Sequence, residues 1–355
     1  MTTHRPCGPE YAVVVPTLGR PSLQVCLHAL ASAEGPPPQA VVLVDDRPAG
    51  GQSRPLKVPA GLRRRTTVVP GRAAGPAAAR NIGWRTAGPV PWVVFLDDDV
   101  VPGPTWATDL AADLAAASGV TAAVTARIEV PQPSGRPATD WERNTAGLAT
   151  ARWITADMAY RTDALRAVGG FDERFHRAFR EDADLALRVL NAGWSLAGGR
   201  RTTTHPVRPA DRWISLRLQA GNADDVLMTR LHGRHWWGWA GAPRGRLRRH
   251  VLIAAAAAAT FPLAALGRRS AAAGCAALWL AGTAEFAWAR IAPGPRSRAE
   301  VTAMVLTSVA IPPAATFHWL RGQVKHRRAG PLRPSPGRSA PAQARPAGEA
   351  GEAGT

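Results

Sequence analysis

A chain of 355 residues with 46% apolar residues can bury a core of its own, which excludes global disorder and leaves room for one large domain plus an appendage. Three cysteines, Cys7, Cys26 and Cys275, are too few and too scattered for a disulfide framework or a metal knuckle, and they fit a reducing compartment. The net charge of +18 is uneven: 18 Lys+Arg against 4 Asp+Glu fall after residue 225, away from the acidic motifs described below, which argues against nucleic acid as a partner.

Tyr11 to Pro16 reads as a short, β-branched buried strand that opens into a loop, and Ser22 to Ser32 has helical spacing with Leu23, Leu27 and Leu30 on one face. Ala40 to Val44 is a second strand ending on Asp45-Asp46, and Thr66 to Val69 a third, followed by a Gly/Pro loop from Pro70 to Pro76. A helix over 77–87 precedes a strand over 91–96, which ends on Asp97-Asp98-Asp99. Beyond it the pattern predicts a helix over 105–118, a strand over 120–130, helices over 163–168 and 181–191, and a strand over 194–197. Strands alternating with helices predict an α/β fold with a mainly parallel sheet covered on both faces. Ligands of such sheets bind beyond the carboxyl ends of the strands, where both acidic clusters sit.

Carboxylates crowded at a strand end repel one another, and a hard divalent cation that shares its oxygens with a substrate phosphate relieves that repulsion. Taken alone, Asp97-Asp98-Asp99 is also compatible with an acidic turn that caps the next helix. Asp45 or Asp46 can accept hydrogen bonds from a ribose or base edge, or can belong to an ordinary turn. Arg80 can hold a nucleotide or lie on the surface. Glu181 and Asp182 suit a helix start electrostatically, Asp184 can pair with Arg188 four residues on, and one of these carboxylates can deprotonate an acceptor hydroxyl.

Pro16-Thr17 with Arg20, Val44-Asp45-Asp46, Ala79-Arg80-Asn81 with Gly83, Asp97-Asp98-Asp99, and Gly170-Phe171-Asp172 followed by Glu181-Asp182-x-Asp184-Leu185-x-x-Arg188 come in that order. Together they resemble family 2 glycosyltransferases over about residues 10 to 205. The resemblance implies a GT-A fold, a nucleotide-diphosphate-sugar donor, a divalent cation (Mn²⁺ or Mg²⁺) and inversion at the anomeric carbon. By position it implies donor contacts from Pro16, Thr17, Arg20, Asp45, Asp46, Arg80, Asp97 and Asp98. It makes Asp99 a metal ligand and Asp182 the general base, and His205 either completes the metal shell or is a structural histidine. The Gln-x-x-Arg-Trp motif of processive relatives is absent; Arg208-Pro-Ala-Asp-Arg212-Trp213 only partly echoes it, so a non-processive enzyme is expected. A sugar nucleotidyltransferase would carry a lysine in the first Gly-rich loop, where this chain has Pro16-Thr-Leu-Gly-Arg20. A nucleotide-sugar-binding protein without catalysis is the remaining alternative.

After residue 230 the composition changes. Trp236, Trp237 and Trp239 and an arginine cluster, which suit an aromatic and basic belt at a membrane interface, precede three apolar stretches, 251–266, 271–291 and 301–320, each marginal as a membrane span. The expected plan is a flexible segment 1–9, a catalytic domain 10–230, a helical membrane-associated region 231–326 and a disordered basic tail 327–355. The apolar run 12–15 is too short for a signal peptide, so the catalytic part is expected in the cytoplasm, held at the inner face of the membrane. A lipid-linked acceptor would explain such attachment, and the alternative is a soluble helical subdomain packed on the enzyme.

Overall fold

The computed structural model describes residues 8–48 and 55–332. Eight strands form one sheet: β1 Tyr11–Thr17, β2 Ala40–Asp45, β3 Thr66–Pro70, β4 Trp92–Leu96, β5 Val101–Pro102, β6 Thr121–Glu129, β7 Asp157–Arg161 and β8 Ser195–Thr204. Around it lie α1 Ser22–Ser32, α2 Ala60–Arg63, α3 Pro76–Thr86, α4 Trp106–Ala116, α5 Asp140–Ala146, α6 Thr162–Val168 and α7 Glu181–Asn191. The remaining helices are α8 Ile214–Arg217, α9 Gly221–His232, α10 Trp236–Trp239, α11 Leu247–Ala265, α12 Arg269–Ile291 and α13 Arg298–Lys325.

The strand order is β3-β2-β1-β4-β7-β6-β8-β5. The first four in that order run parallel, as their uninterrupted apolar sequences require. Val13 and Val15 face one core layer with α1 and α4, while Ala12 and Val14 face the other with α3, α6 and α7. The second half is mixed: β7 runs antiparallel between β4 and β6, and β8 returns parallel to β6. This half is organised around a buried charge network. Arg201 donates to Asp157 at 3.0 Å and to Asp113 at 3.2 Å, and Asp157 also accepts from Trp106 Nε1 and the Thr203 hydroxyl.

Helix α3 lies unusually close to the sheet. A Cβ at Gly83 would stand 2.2 Å from Val14 Cγ1 and 3.2 Å from Val44 Cγ2. Replacing an interior helix glycine by alanine ordinarily gains about 1 kcal/mol in propensity. Here overpacking, which costs about 1–3 kcal/mol, outweighs that gain, so Gly83→Ala is expected to lower the urea midpoint of unfolding. An unchanged or raised midpoint would show that the helix can move off the sheet freely.

The C-terminal helices are docked on the α/β domain. Arg290 of α12 donates to Asp140 at the start of α5, to Ser215 of α8, and to Thr307 and Ser308 of α13. Glu300 of α13 accepts the Asp140 backbone N–H at 2.7 Å. Of the described helices only α13 is both long and apolar enough to cross a membrane. The three apolar stretches thus form one packed subdomain, yet they leave Phe261 (71% exposed), Leu266 (73%) and Phe317 (61%) facing outward.

Two expectations change here. Trp236 and Trp237 do not form an outward aromatic belt: they stack on each other, Trp236 is fully buried, and Arg180 lies over both rings. Only Trp239 of that cluster is exposed. Residues 327–332, expected in a disordered tail, are placed against the α/β domain, where the Gly330 carbonyl accepts from Arg174. The rest of that expected tail, 333–355, and most of the expected flexible start, 1–7, lie outside the described residues.

Candidate active site

The carboxyl ends of β1, β2 and β4 lie side by side, with Thr17 in register with Asp45. Pro16 and Thr17 end β1 at this rim. The Thr17 hydroxyl donates to Asp98 Oδ2 at 2.7 Å, and Arg20 reaches Asp98 Oδ1 at 3.4 Å. Asp98 thereby shapes the loop after β1, a positioning role that uses both of its oxygens. Asp46 does the same for the loop after β3. It accepts the backbone N–H groups of Arg72 and Gly75 at 3.0 and 3.1 Å, and a Cβ at Gly71 would collide with its carboxylate. Asp45 is held by Arg47 through a 2.7 Å bond from Nε, and this pairing keeps its carboxyl below the usual range.

Arg80 differs most from its expected setting. It is neither a surface arginine nor a free arm toward a nucleotide, because it is only 2% exposed and both terminal nitrogens are engaged. One donates to Asp97 at 2.7 Å and the other to Glu181 at 2.8 Å, and the guanidinium lies over the Phe171 ring. The helix that carries Arg80 starts at Pro76 and packs on β1 and β2, so the side chain is delivered between β4 and α7. It joins the acidic strand end to the helix that carries Asp182.

Asp182 sits in the first turn of α7. Its one hydrogen-bond donor among the described residues is the Ala183 backbone N–H at 2.7 Å, and no cationic side chain forms a salt bridge with it. Burial raises its pKa, partly offset by that N–H and by Arg80 and Arg180, while Asp97 adds to the rise. Glu181 beside it is also pushed up, by burial and by the charge of Asp182, against the pull of Arg80. Asp184 takes the opposite course. Arg188 at 2.7 Å and His232 at 2.8 Å hold it charged, so the pairing of Asp184 with Arg188 is structural. Arg188 also donates to the carbonyls of Val168 and Gly170, fixing α7 against the preceding turn.

Asp99 and His205 come together although 106 residues separate them, because β8 ends next to β5. His205 Nε2 is 3.8 Å from Asp99 Oδ1, and its Nδ1 faces the Pro206 carbonyl at 3.2 Å. A proton on Nδ1 leaves the Nε2 lone pair turned toward Asp99. Burial and the charge of Asp97 raise the Asp99 pKa, while His205 and Arg208 lower it.

Two participants escaped the sequence reading. Arg208, 43% exposed, reaches Asp99 Oδ2 at 2.9 Å. Arg180, the residue before Glu181, adopts a left-handed conformation at φ 77°. That strain, about 1–3 kcal/mol, is offset by an ion pair to Asp225 and by contacts with Phe179, Trp236 and Trp237. A left-handed arginine leaves no mark in sequence, whereas the arginine in the echo 208–213 was a visible signal that no spacing rule tied to Asp99.

A half-parallel sheet whose acidic strand ends face a second acidic pair on a helix is a GT-A type arrangement. Residues 12–182 match the family described as glycosyl transferase family 2. Curated relatives are the pre-mycofactocin glycosyltransferases of two Mycobacterium tuberculosis strains, CDC 1551 / Oshkosh and H37Rv. Each is 33% identical over 132 residues, covering 34% of this chain and 27% of theirs. The chain thus spans about a quarter of the length of those relatives. Similar solved structures include the mannosyltransferase PcManGT of Pyrobaculum calidifontis in complex with GDP-Man and Mn²⁺, at 17% identity and TM-score 0.46, covering 91% of this chain and 88% of that one. Residues 1–349 of S. aureus TarS in complex with UDP-GlcNAc align at 14% identity and TM-score 0.43, covering 90% and 92%.

Proposed function

We propose that the protein transfers a sugar from a nucleotide-diphosphate donor to an acceptor hydroxyl, with inversion and without processivity. The observation that carries this reading is Asp182, a carboxylate of raised pKa with no ionic partner among the described residues. It is wired through Glu181 and Arg80 to Asp97 at the donor rim. A carboxylate left unpaired in a buried cluster costs stability, and a proton-accepting role accounts for it. Asp182 takes the acceptor hydroxyl proton as the oxygen attacks the anomeric carbon, and the diphosphate leaves on the opposite side. Asp45 and the loop 71–75 shaped by Asp46 lie where nucleoside and phosphates are held, and the exposed guanidinium of Arg208 is placed to meet the departing charge.

A divalent cation fits this site in part. Among the described residues no three His, Cys, Asp or Glu side chains converge as a complete cage. Asp99 and His205 nevertheless present an oxygen and a nitrogen 3.8 Å apart, and these two side chains would hold a divalent cation such as Mn²⁺ or Mg²⁺. The remaining positions would be filled by diphosphate oxygens and water, as is usual for Mg²⁺. When bound, the ion neutralises the leaving diphosphate.

The test is a thermal-shift panel of nucleoside diphosphates with and without Mn²⁺. The wild type is expected to be stabilised by one nucleotide in a metal-dependent manner, and Asp99→Ala to lose that shift. No stabilisation by any nucleotide would sink the donor reading. We also place the enzyme at a membrane surface, acting on a lipid-linked acceptor in envelope glycan, glycolipid or secondary-metabolite glycosylation. Support comes from the outward apolar side chains of α11–α13 and from the arginines that flank them.

A further inference from the structure

The turn from Gly169 to His176 and the last turn of α13 enclose two adjoining cavities of about 690 and 480 Å³, both lined by Arg174, Lys325 and His326. Arg85 lines the larger, and Arg327 and Arg328 the smaller, so five cationic side chains face two carboxylates, Asp172 and Glu173. Both carboxylates are already engaged, Asp172 by Arg174 and Glu173 by Arg72 and Asn81. The positive surplus is therefore not neutralised from within the cleft. His326 is buried, its Nε2 has no hydrogen-bond partner, and burial with the nearby charges of Lys325 and Arg174 pulls its pKa down to about 4.

The cleft is not the donor site. Arg80 faces Asp97 and Glu181, whereas its neighbour Asn81 turns to Phe171 and Glu173 and lines the larger cavity. It is instead continuous with the exposed stripe of α13. Val305, Val309, Phe317, Leu320 and Val324 are all exposed, and Val324 itself lines the smaller cavity. From Val305 to Val324 this stripe is about 29 Å long at the helical rise. It is apolar along its length and cationic at its end, with Lys325, Arg327 and Arg328.

We propose that this cleft binds the phosphate of an anionic membrane lipid whose chains lie along the α13 stripe. The proposal rests on the membrane reading above and names its ligand. Charge and shape agree: a phosphomonoester or phosphodiester meets Lys325, Arg327 and Arg328, and the apolar surface leading from the cleft matches an acyl or prenyl chain rather than a soluble phosphate. The Arg72–Glu173 ion pair and the close seating of Gly75 on the His176 carbonyl join the cleft wall to the loop after β3. Lipid capture would thus steady one wall of the donor site.

The test uses the full chain in flotation with vesicles of phosphatidylcholine alone or containing phosphatidic acid. The variants are Lys325→Glu/Arg328→Glu and Phe317→Gln/Leu320→Gln, all at exposed positions outside the proposed catalytic groups. Wild type is expected to bind the phosphatidic acid vesicles at least about tenfold better. Charge reversal should abolish that preference and leave the weak binding to phosphatidylcholine, and the Phe317/Leu320 pair should weaken both. Equal binding of wild type to the two vesicle types, or a preference unaffected by charge reversal, overturns the headgroup site and leaves membrane attachment standing. Absence of wild-type binding to either vesicle overturns both. A thermal shift by inorganic phosphate, lost on charge reversal while vesicle binding is unchanged, would assign the cleft to free phosphate and overturn the lipid. The metal-dependent nucleotide shift should be the same in all variants, which keeps these outcomes separate from the fate of the transferase reading.

Discussion

Asp182→Asn is expected to lower sugar transfer by roughly a thousandfold, within the usual span for loss of a general base. Nucleotide binding should be nearly unchanged, because Asp182 contacts neither the loop after β1 nor the loop 71–75. The fall should appear in kcat rather than KM for the donor. In the wild type, burial raises the Asp182 pKa. The base is active only when deprotonated, so activity should drop on the acid side at a pH above the ordinary carboxylate range. The Asn variant should lose that acid limb. A variant that retains more than a tenth of wild-type kcat, or keeps the same acid limb, would move the base to another group, with Glu181 the next candidate.

Arg80→Ala is expected to destabilise the domain by about 3–5 kcal/mol, since it leaves the buried carboxylate of Glu181 and the partly buried one of Asp97 without their shared cation. For a domain of this size that corresponds to a fall in Tm of about 10 °C. Adding Glu181→Gln should restore part of the loss by removing the charge that the first change orphaned. The pH dependence has a definite sign. Glu181 in the folded protein already has a raised pKa, and loss of Arg80 raises it further. The folded state then holds a proton that the unfolded state has released, so stability of Arg80→Ala should decline as pH rises above the normal carboxylate range. Thermal melts across pH on the single and double variants would read this out. An Arg80→Ala protein as stable as wild type, or no recovery in the double variant, would mean that the Asp97–Arg80–Glu181 chain does not hold α7 to the sheet.

The parallel half of the fold was legible because its sequence is redundant. The runs 11–16 and 40–44 are continuous and β-branched, and such runs have one stable outcome, a strand buried on both faces. The acidic ends of β2 and β4 and the helix 181–191 were equally visible. Strand β7 was not read: Asp157-Met-Ala-Tyr-Arg161 has no β-branched residue and a charge at each end, and it becomes a strand only because β4 and β6 offer it two edges. Strand β8 was read as four residues and extends over ten, because Gly198-Gly199 resembles a stop. Gly199 is there for another reason, since a Cβ would meet Asp113 Oδ2 at 2.2 Å. The start of helix α5 is marked in the sequence by the capping box of Thr139 with Glu142.

At the candidate site, residue type and order singled out the acidic groups, and the structure shows how each of them is paired. Asp45-Asp46 and Asp97-Asp98-Asp99 look like two acidic clusters. In three dimensions Asp46 and Asp98 build loops, Asp97 holds Arg80, and Asp99 meets His205 and Arg208. Glu181, Asp182 and Asp184 lie within four residues, yet Glu181 is tied to Arg80, Asp184 to Arg188 and His232, and Asp182 to no cation among the described residues. By itself the sequence determined the α/β class and the acidic strand ends and carried the family resemblance, because apolar periodicity and motif order are local properties of the chain. Which carboxylate remains free, that Arg80 is buried, and how the C-terminal helices close on the α/β domain depended on tertiary pairings such as Arg80 with Glu181 and Arg290 with Asp140, 101 and 150 residues apart. Those pairings set burial and charge compensation, and no local pattern encodes them.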